Sequence, residues 1–147
     1  MADTQSKNGA QVAEAWIEAF NVGDWPQFRA PLAADVVYEE TGTQRRTQNA
    51  DEYLQLVQGW KQAFPNVKGT IRNVVSSGNT VVQEITWAGT HSGPLLTPGG
   101  TLPASGKSIT VEASLWSTFR GDTIQEIHHH LDVLSMLQQL GVLPPAG

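Results

Sequence analysis

The feature that most constrains this chain is a change of hydrophobic period at Pro65. Before it, apolar residues recur at the spacing of one helix face; after it, β-branched and aromatic residues gather in strand-like runs. Three helices and one short strand, then a meander of long strands and a terminal helix, describe an α+β domain. Its helices cover one face of a curved antiparallel sheet, and the uncovered part of the concave face becomes a pocket.

The first helix is read from Val12, Ala15, Trp16, Ala19 and Phe20, with Gly23 as its stop. Asp24-Trp25-Pro26-Gln27 resembles a capped start with proline in the first turn, and predicts a short helix ending near Ala34. Asn49 with Glu52 repeats that start signal, and Tyr53, Val57, Trp60 and Phe64 carry the third helix to Pro65. Between them, Val36–Glu40 reads as a short strand closed by Thr41-Gly42. The long strands are predicted at Ile71–Val75, Val81–Thr90, Ile109–Phe119 and Thr123–Leu131, with hairpin turns at Ser77-Gly78-Asn79 and Gly121-Asp122. Ser92–Lys107, with three prolines and four glycines, is predicted to be a loop rimming the pocket. A last helix runs from Val133 to Leu140, N-capped by Asp132 and stopped by Gly141. Along Ile109–Phe119, Val111, Ala113, Leu115, Ser117 and Phe119 share the inward face, and Trp116 stands on an otherwise polar outer face. An indole there suggests contact between two sheets, hence a homodimer or higher homo-oligomer.

At 147 residues and 39% hydrophobic content, one domain over 1–147 is expected, with residues 1–7 flexible. A formal charge of -5 with scattered lysines and arginines argues against nucleic acid as a partner. Without cysteine there is no disulfide, thiolate metal site or cysteine nucleophile. No long apolar run suggests a membrane span, and the polar start lacks a signal-peptide core, so a cytoplasmic protein is expected.

The chemistry-bearing pattern is His128-His129-His130 on the last strand. Alternation turns His129 away from its neighbours and onto the face of Ile127 and Leu131. A titratable imidazole between two apolar residues is what an acid/base group inside a hydrophobic pocket looks like; a hydrogen-bonded core histidine is the alternative. His128, His130 and Asp132 share the opposite face, where a divalent metal could bind in principle, but no further ligand clusters with them and no metal is expected. His91, at the end of a strand, stands either at the pocket mouth or in a loop-capping hydrogen bond. Gln83, on the face of Val81, Ile85 and Trp87, could orient a substrate carbonyl or satisfy backbone groups. Trp16, Phe20, Tyr53, Trp60 and Trp87 are expected to line the pocket, joined by Tyr38 and Leu115, with plain core packing as the alternative.

Ala19-Phe20-Asn21-Val22-Gly23-Asp24, Gly89-Thr90-His91-Ser92-Gly93-Pro94-Leu95, Pro103-Ala104-Ser105-Gly106-Lys107 and the ending from Asp132 to Gln139-Leu140-Gly141 resemble the SnoaL-like polyketide cyclases. These are cone-shaped proteins of the superfamily that includes ketosteroid isomerase and nuclear transport factor 2. The resemblance covers nearly the whole chain. It implies an enzyme without a cofactor that abstracts a proton beside a carbonyl of a small, apolar, polyketide-like substrate and closes a ring, in natural-product biosynthesis; some relatives open epoxides or form ether rings. The catalytic aspartate of the aromatic-polyketide cyclases falls on His129, and their supporting histidine falls near Leu115, so the acid/base group changes type and its helper is missing. Asp132 matches a recurrent aspartate of the family and equally suits a helix cap. The base of ketosteroid isomerase corresponds to Glu40. That residue shares a face with Val36 and Tyr38, where apolar surroundings are expected to raise its pKa toward neutrality and let it remove the proton, with His129 as partner. Solvated strand-end charge is the alternative for Glu40. An isomerase, an epoxide hydrolase built on Glu40 and Gln83, and a non-catalytic binding module are the competing functions.

Overall fold

A computed structural model describes residues 8–97 and 99–144; the expected flexibility of residues 1–7 lies outside the described residues. Helix α1 (Gly9–Val22) starts where the Asn8 side chain accepts from the Gln11 amide and ends at Gly23, whose φ of 75° only glycine adopts freely. Helix α2 (Trp25–Arg29) follows, then strand β1 (Leu32–Thr41), strand β2 (Arg45–Thr47), helix α3 (Ala50–Ala63) and strands β3 (Lys68–Ser77) and β4 (Thr80–Thr90). Strands β5 (Leu95–Thr97), β6 (Gly100–Leu102), β7 (Ser108–Arg120) and β8 (Thr123–Leu131) and helix α4 (Val133–Gln139) complete the order.

The main sheet runs β2-β1-β8-β7-β4-β3. The meander β3-β4-β7-β8 is antiparallel as the sequence implies. Parallel pairing of β1 with β8 is the addition: it sets Tyr38 opposite Ile127 and Glu40 opposite His129. The second helix is shorter than expected, ending at Arg29 rather than near Ala34. The reason is pairing at the sheet's start: the Pro31 carbonyl accepts the Ile124 amide at 2.7 Å and Leu32 is in register with Ile124, which holds the chain extended. The Ser92–Lys107 segment, expected to be all loop, contains the β5–β6 hairpin. Leu95 and Leu102 face each other across it, and Leu95 is buried, so one face of the hairpin packs despite the prolines and glycines while Leu96 stays exposed.

The core lies between the helices and the concave face. Val111, Ala113, Leu115, Ser117 and Phe119 are all buried, as alternation requires, whereas Trp116 on the outer face is 44% exposed. Trp16 and Phe28 meet at 5.5 Å between ring centroids, Phe28 and Tyr53 at 5.6 Å, and Tyr53 and Tyr38 stack at 4.4 Å. Such pairs add about 0.5–1.5 kcal/mol each beyond area burial, and this chain of rings fixes α1, α2 and α3 against β1. Gly69, in register with Trp87, leaves room for its indole: a Cβ there would lie 2.5 Å from the ring. Among the described residues no helix is long and apolar enough to cross a membrane.

Candidate active site

Strand β8 and its two neighbours build the site. Ile127 and His129 are buried on one face while His128 and His130 turn outward, the alternation expected of a strand. On β1 the same alternation buries Val36, Tyr38 and Glu40, and the parallel register brings Glu40 beside His129.

Glu40 is 1% exposed and its carboxylate is saturated with donors. Oε1 accepts from Thr43 Oγ1 at 2.6 Å and from Arg45 Nε and Nη2 at 3.1 and 2.9 Å. Oε2 accepts from the Tyr38 hydroxyl at 2.6 Å and the Trp60 indole at 2.8 Å. Burial alone would raise its pKa, but the Arg45 guanidinium, His129 and the Thr43 and Tyr38 hydrogen bonds outweigh it and hold the carboxyl below its ordinary value. This corrects the expectation of a carboxyl near neutrality: Glu40 is ionised, enclosed and does not line the chamber. A base with every lone-pair direction occupied is poorly placed to take a proton from carbon.

The hydrogen bonds around His129 fix their own direction. The Trp87 indole can only donate, and it reaches His129 Nε2 at 3.2 Å. Nε2 is therefore the unprotonated nitrogen and Nδ1 carries the hydrogen. Nδ1 lies 2.8 Å from the Tyr38 hydroxyl, which accepts there because its own hydrogen goes to Glu40. A directed chain thus runs from His129 Nδ1–H through Tyr38 to the Glu40 carboxylate. Burial lowers the His129 pKa to about 4, against an opposing pull from Glu40, so the ring is neutral at physiological pH. Tyr38 and Tyr53 are both driven well above the ordinary tyrosine value, first by burial and then by Glu40, and stay protonated.

These groups border an apolar chamber of about 70 Å³, lined by Phe20, Tyr38, Tyr53, Val57, Trp60, Trp87, Val111, Leu115, His129 and Met136 among others. At roughly 10–15 Å³ per water, it has room for a few waters or one ring of a ligand. The Tyr53 hydroxyl makes no hydrogen bond among the described residues, leaving it free to bind a guest.

Of the residues expected to line the pocket, Phe20, Tyr38, Tyr53, Trp60, Trp87 and Leu115 do. Trp16 is buried against Phe28 and Tyr53 instead, on the helix side of the core. Gln83 is fully buried outside the chamber lining, so it does not converge with Glu40 as epoxide hydrolysis would need. His91 is not at a pocket mouth: it is 1% exposed, packs on Phe64 at 5.3 Å and joins Ser105 through Nδ1, which makes it the loop-capping histidine. Asp132 caps α4 by accepting from the Ser135 amide at 3.0 Å and lies outside the chamber. His128 pairs with Glu39 at 3.1 Å and His130 with Thr41 at 2.8 Å; among the described residues no group of three or more such side chains could hold a metal ion.

Sequence reading missed Thr43 and Arg45, and the signal was the tight turn after Thr41-Gly42. Gly42 at φ 95° and Gln44 at φ 61° fold the chain back so that Glu40 and Arg45 pair in register, and a Cβ on Gly42 would strike Val133 at 2.7 Å.

Fold and site together define a cone-shaped α+β protein with an apolar chamber and a buried histidine–tyrosine–carboxylate chain at its wall. The family model for the SnoaL-like polyketide cyclase matches residues 10–140, and the chain belongs to that family. IdmH from Streptomyces antibioticus, assigned as a polyketide cyclase, is 26% identical with a TM-score of 0.78, over 92% of this chain and 99% of that one. AclR from Streptomyces galilaeus, assigned as a hydroxylase, is 19% identical at a TM-score of 0.80, over 94% of this chain and 83% of that one. An LEH-like epoxide hydrolase from M. tuberculosis is 17% identical at a TM-score of 0.71, over 94% and 92%; the latter two share the fold. No curated protein matches the chain.

Proposed function

We propose that this protein is a polyketide cyclase that closes a ring without a cofactor, in cytoplasmic natural-product biosynthesis, with His129 as the group that exchanges the proton. The observation that carries the reading is the hydrogen-bond chain His129–Tyr38–Glu40, whose chamber end, Nε2, is held only by the Trp87 N–H, a single neutral donor that a bound substrate must displace before Nε2 can act. A neutral imidazole takes a proton from the carbon next to a carbonyl at Nε2, and the electron pair moves onto the carbonyl oxygen. The Trp87 N–H and the Tyr53 hydroxyl are the donors available to that oxyanion. The resulting imidazolium keeps its Nδ1–H on Tyr38, and Glu40, ionised and held by Arg45, stabilises the added charge without accepting the proton. The enolate carbon then attacks a second carbonyl of the same molecule, and His129 returns its proton to the new alkoxide. The apolar walls position the chain and exclude water.

Incubation with linear polyketide intermediates, with products of unchanged mass or loss of water followed by mass spectrometry, tests this. His129→Ala is expected to lower turnover by a factor on the order of 100 or more, and full turnover in that variant rejects the assignment. A non-catalytic binding module is the second reading, favoured by the Trp87 hydrogen bond that already occupies Nε2. Binding without any product across the substrate panel would establish it.

The chain also fits a homodimer joined through the outer sheet face. Val75, Val82, Trp116 and His128 stand in consecutive register across that face, with Val75 57% and Trp116 44% exposed.

A further inference from the structure

The chamber has an annex. A second, larger cavity of about 350 Å³ lies between the β5–β6 hairpin and α4 and shares Trp60 and Met136 with the inner chamber. Its lining is almost entirely apolar: Leu95, Leu96, Leu102, Val133, Leu137 and Val142. Two of the exposed large hydrophobic residues line it, Leu96 at 64% and Val142 at 47% exposure. Apolar surface left open at a concave site marks something that binds there.

The dividing wall is tied to the site. Trp60 donates to Glu40 Oε2, its ring lies under the Arg45 guanidinium at 5.1 Å, and Thr43, on the annex side, donates to Glu40 Oε1. The inner chamber holds about one ring, too little for a molecule that must fold back on itself. A substrate whose reacting carbonyl reaches His129 must leave the rest of its length elsewhere, and the neighbouring cavity, separated from the chamber by the side chains of Trp60 and Met136, is lined mostly by apolar residues.

We propose that the annex is the second compartment of the binding site, taking the unreacted hydrocarbon-rich tail of an elongated ketone while its carbonyl end occupies the chamber. This rests on the cyclase reading for the carbonyl end; the tail site stands on binding alone. Dissociation constants for a series of methyl ketones, from methyl propyl ketone to methyl undecyl ketone, measured by NMR titration of the full chain, test it. Affinity is expected to rise by up to about fourfold per methylene well beyond the length the chamber accommodates. Leu96→Glu and Val142→Glu, both at exposed positions that leave the fold intact, are expected to remove the long-chain gain at least tenfold while leaving the shortest ketone's affinity unchanged. A plateau at short chain length in the unaltered protein, or a long-chain gain that survives both substitutions, overturns the proposal; so does failure of every ketone to bind. Long-chain binding with this pattern, together with no cyclised product from the linear polyketide intermediates, would reject the cyclase reading and leave the annex standing.

Discussion

Glu40 and His129 exchange the roles that residue type alone suggests. The carboxylate, expected to be the base, is locked by five donor contacts, whereas the one lone pair of the histidine is held by a single neutral donor, the Trp87 indole. With His129 at about 4, the acid limb of kcat/KM is expected near that value, with the rate rising as the imidazolium loses its proton and level toward neutrality. Tyr38→Phe removes the acceptor for Nδ1–H, which destabilises the cation. Its acid limb should move below that of the unaltered protein, and an unmoved limb would show that the chain does not tune His129. Stability has the same sign. His129 drops from 6.5 to about 4 on folding, so its contribution is complete above pH 6.5 and disappears as pH falls toward 4. Glu40, also held low, loses its contribution at still lower pH, so the two add. Thermal melts should be flat near neutrality and fall on acidification, and His129→Gln should flatten the segment between 6.5 and 4, worth about 3 kcal/mol. Glu40→Gln leaves Arg45 without its counter-charge; because Arg45 is 27% exposed and partly solvated, a loss of roughly 2–3 kcal/mol is expected in denaturant titration. Reduced activity in that variant must therefore be read beside its melting curve.

Among the elements, those with a strong local period were legible in the sequence. Asn49 accepts the Glu52 amide at 2.8 Å, as its start signal promised, and the inward face of β7 is the one that alternation chose. What was not legible depended on pairing between distant segments. Leu32 extends the helical spacing of α2 through residues 30–34, yet it is held opposite Ile124, a partner far away in the chain that no local pattern reveals. Glu40 was located correctly on the inner face, but its pKa came out opposite to expectation, because Arg45 reaches it only once β2 folds back on β1. Helix α2 is five residues long and cannot stand alone, so its Phe28, 2% exposed between Trp16 and Tyr53, carries its attachment. Phe28→Ala should cost about 3–5 kcal/mol in chemical denaturation. A smaller loss would mean that Trp25 and Phe20 close the gap.

For the whole molecule, the outer sheet face and the inner chamber are separate surfaces on opposite sides of one sheet. Trp116→Glu is therefore expected to turn a dimer into a monomer in light scattering while leaving ketone binding intact. A dimer that persists removes the sheet-to-sheet arrangement. Parallel pairing of β1 with β8 has a temporal corollary. Tyr38 and His129 stand 91 positions apart, and nothing local to either brings them together. Closing so wide a loop precedes any reward from the contact, so the His129–Tyr38–Glu40 hydrogen-bond chain is among the last things a nascent copy acquires. Recovery of turnover after refolding should then lag behind recovery of helical signal, making catalysis a gauge of completion rather than of collapse.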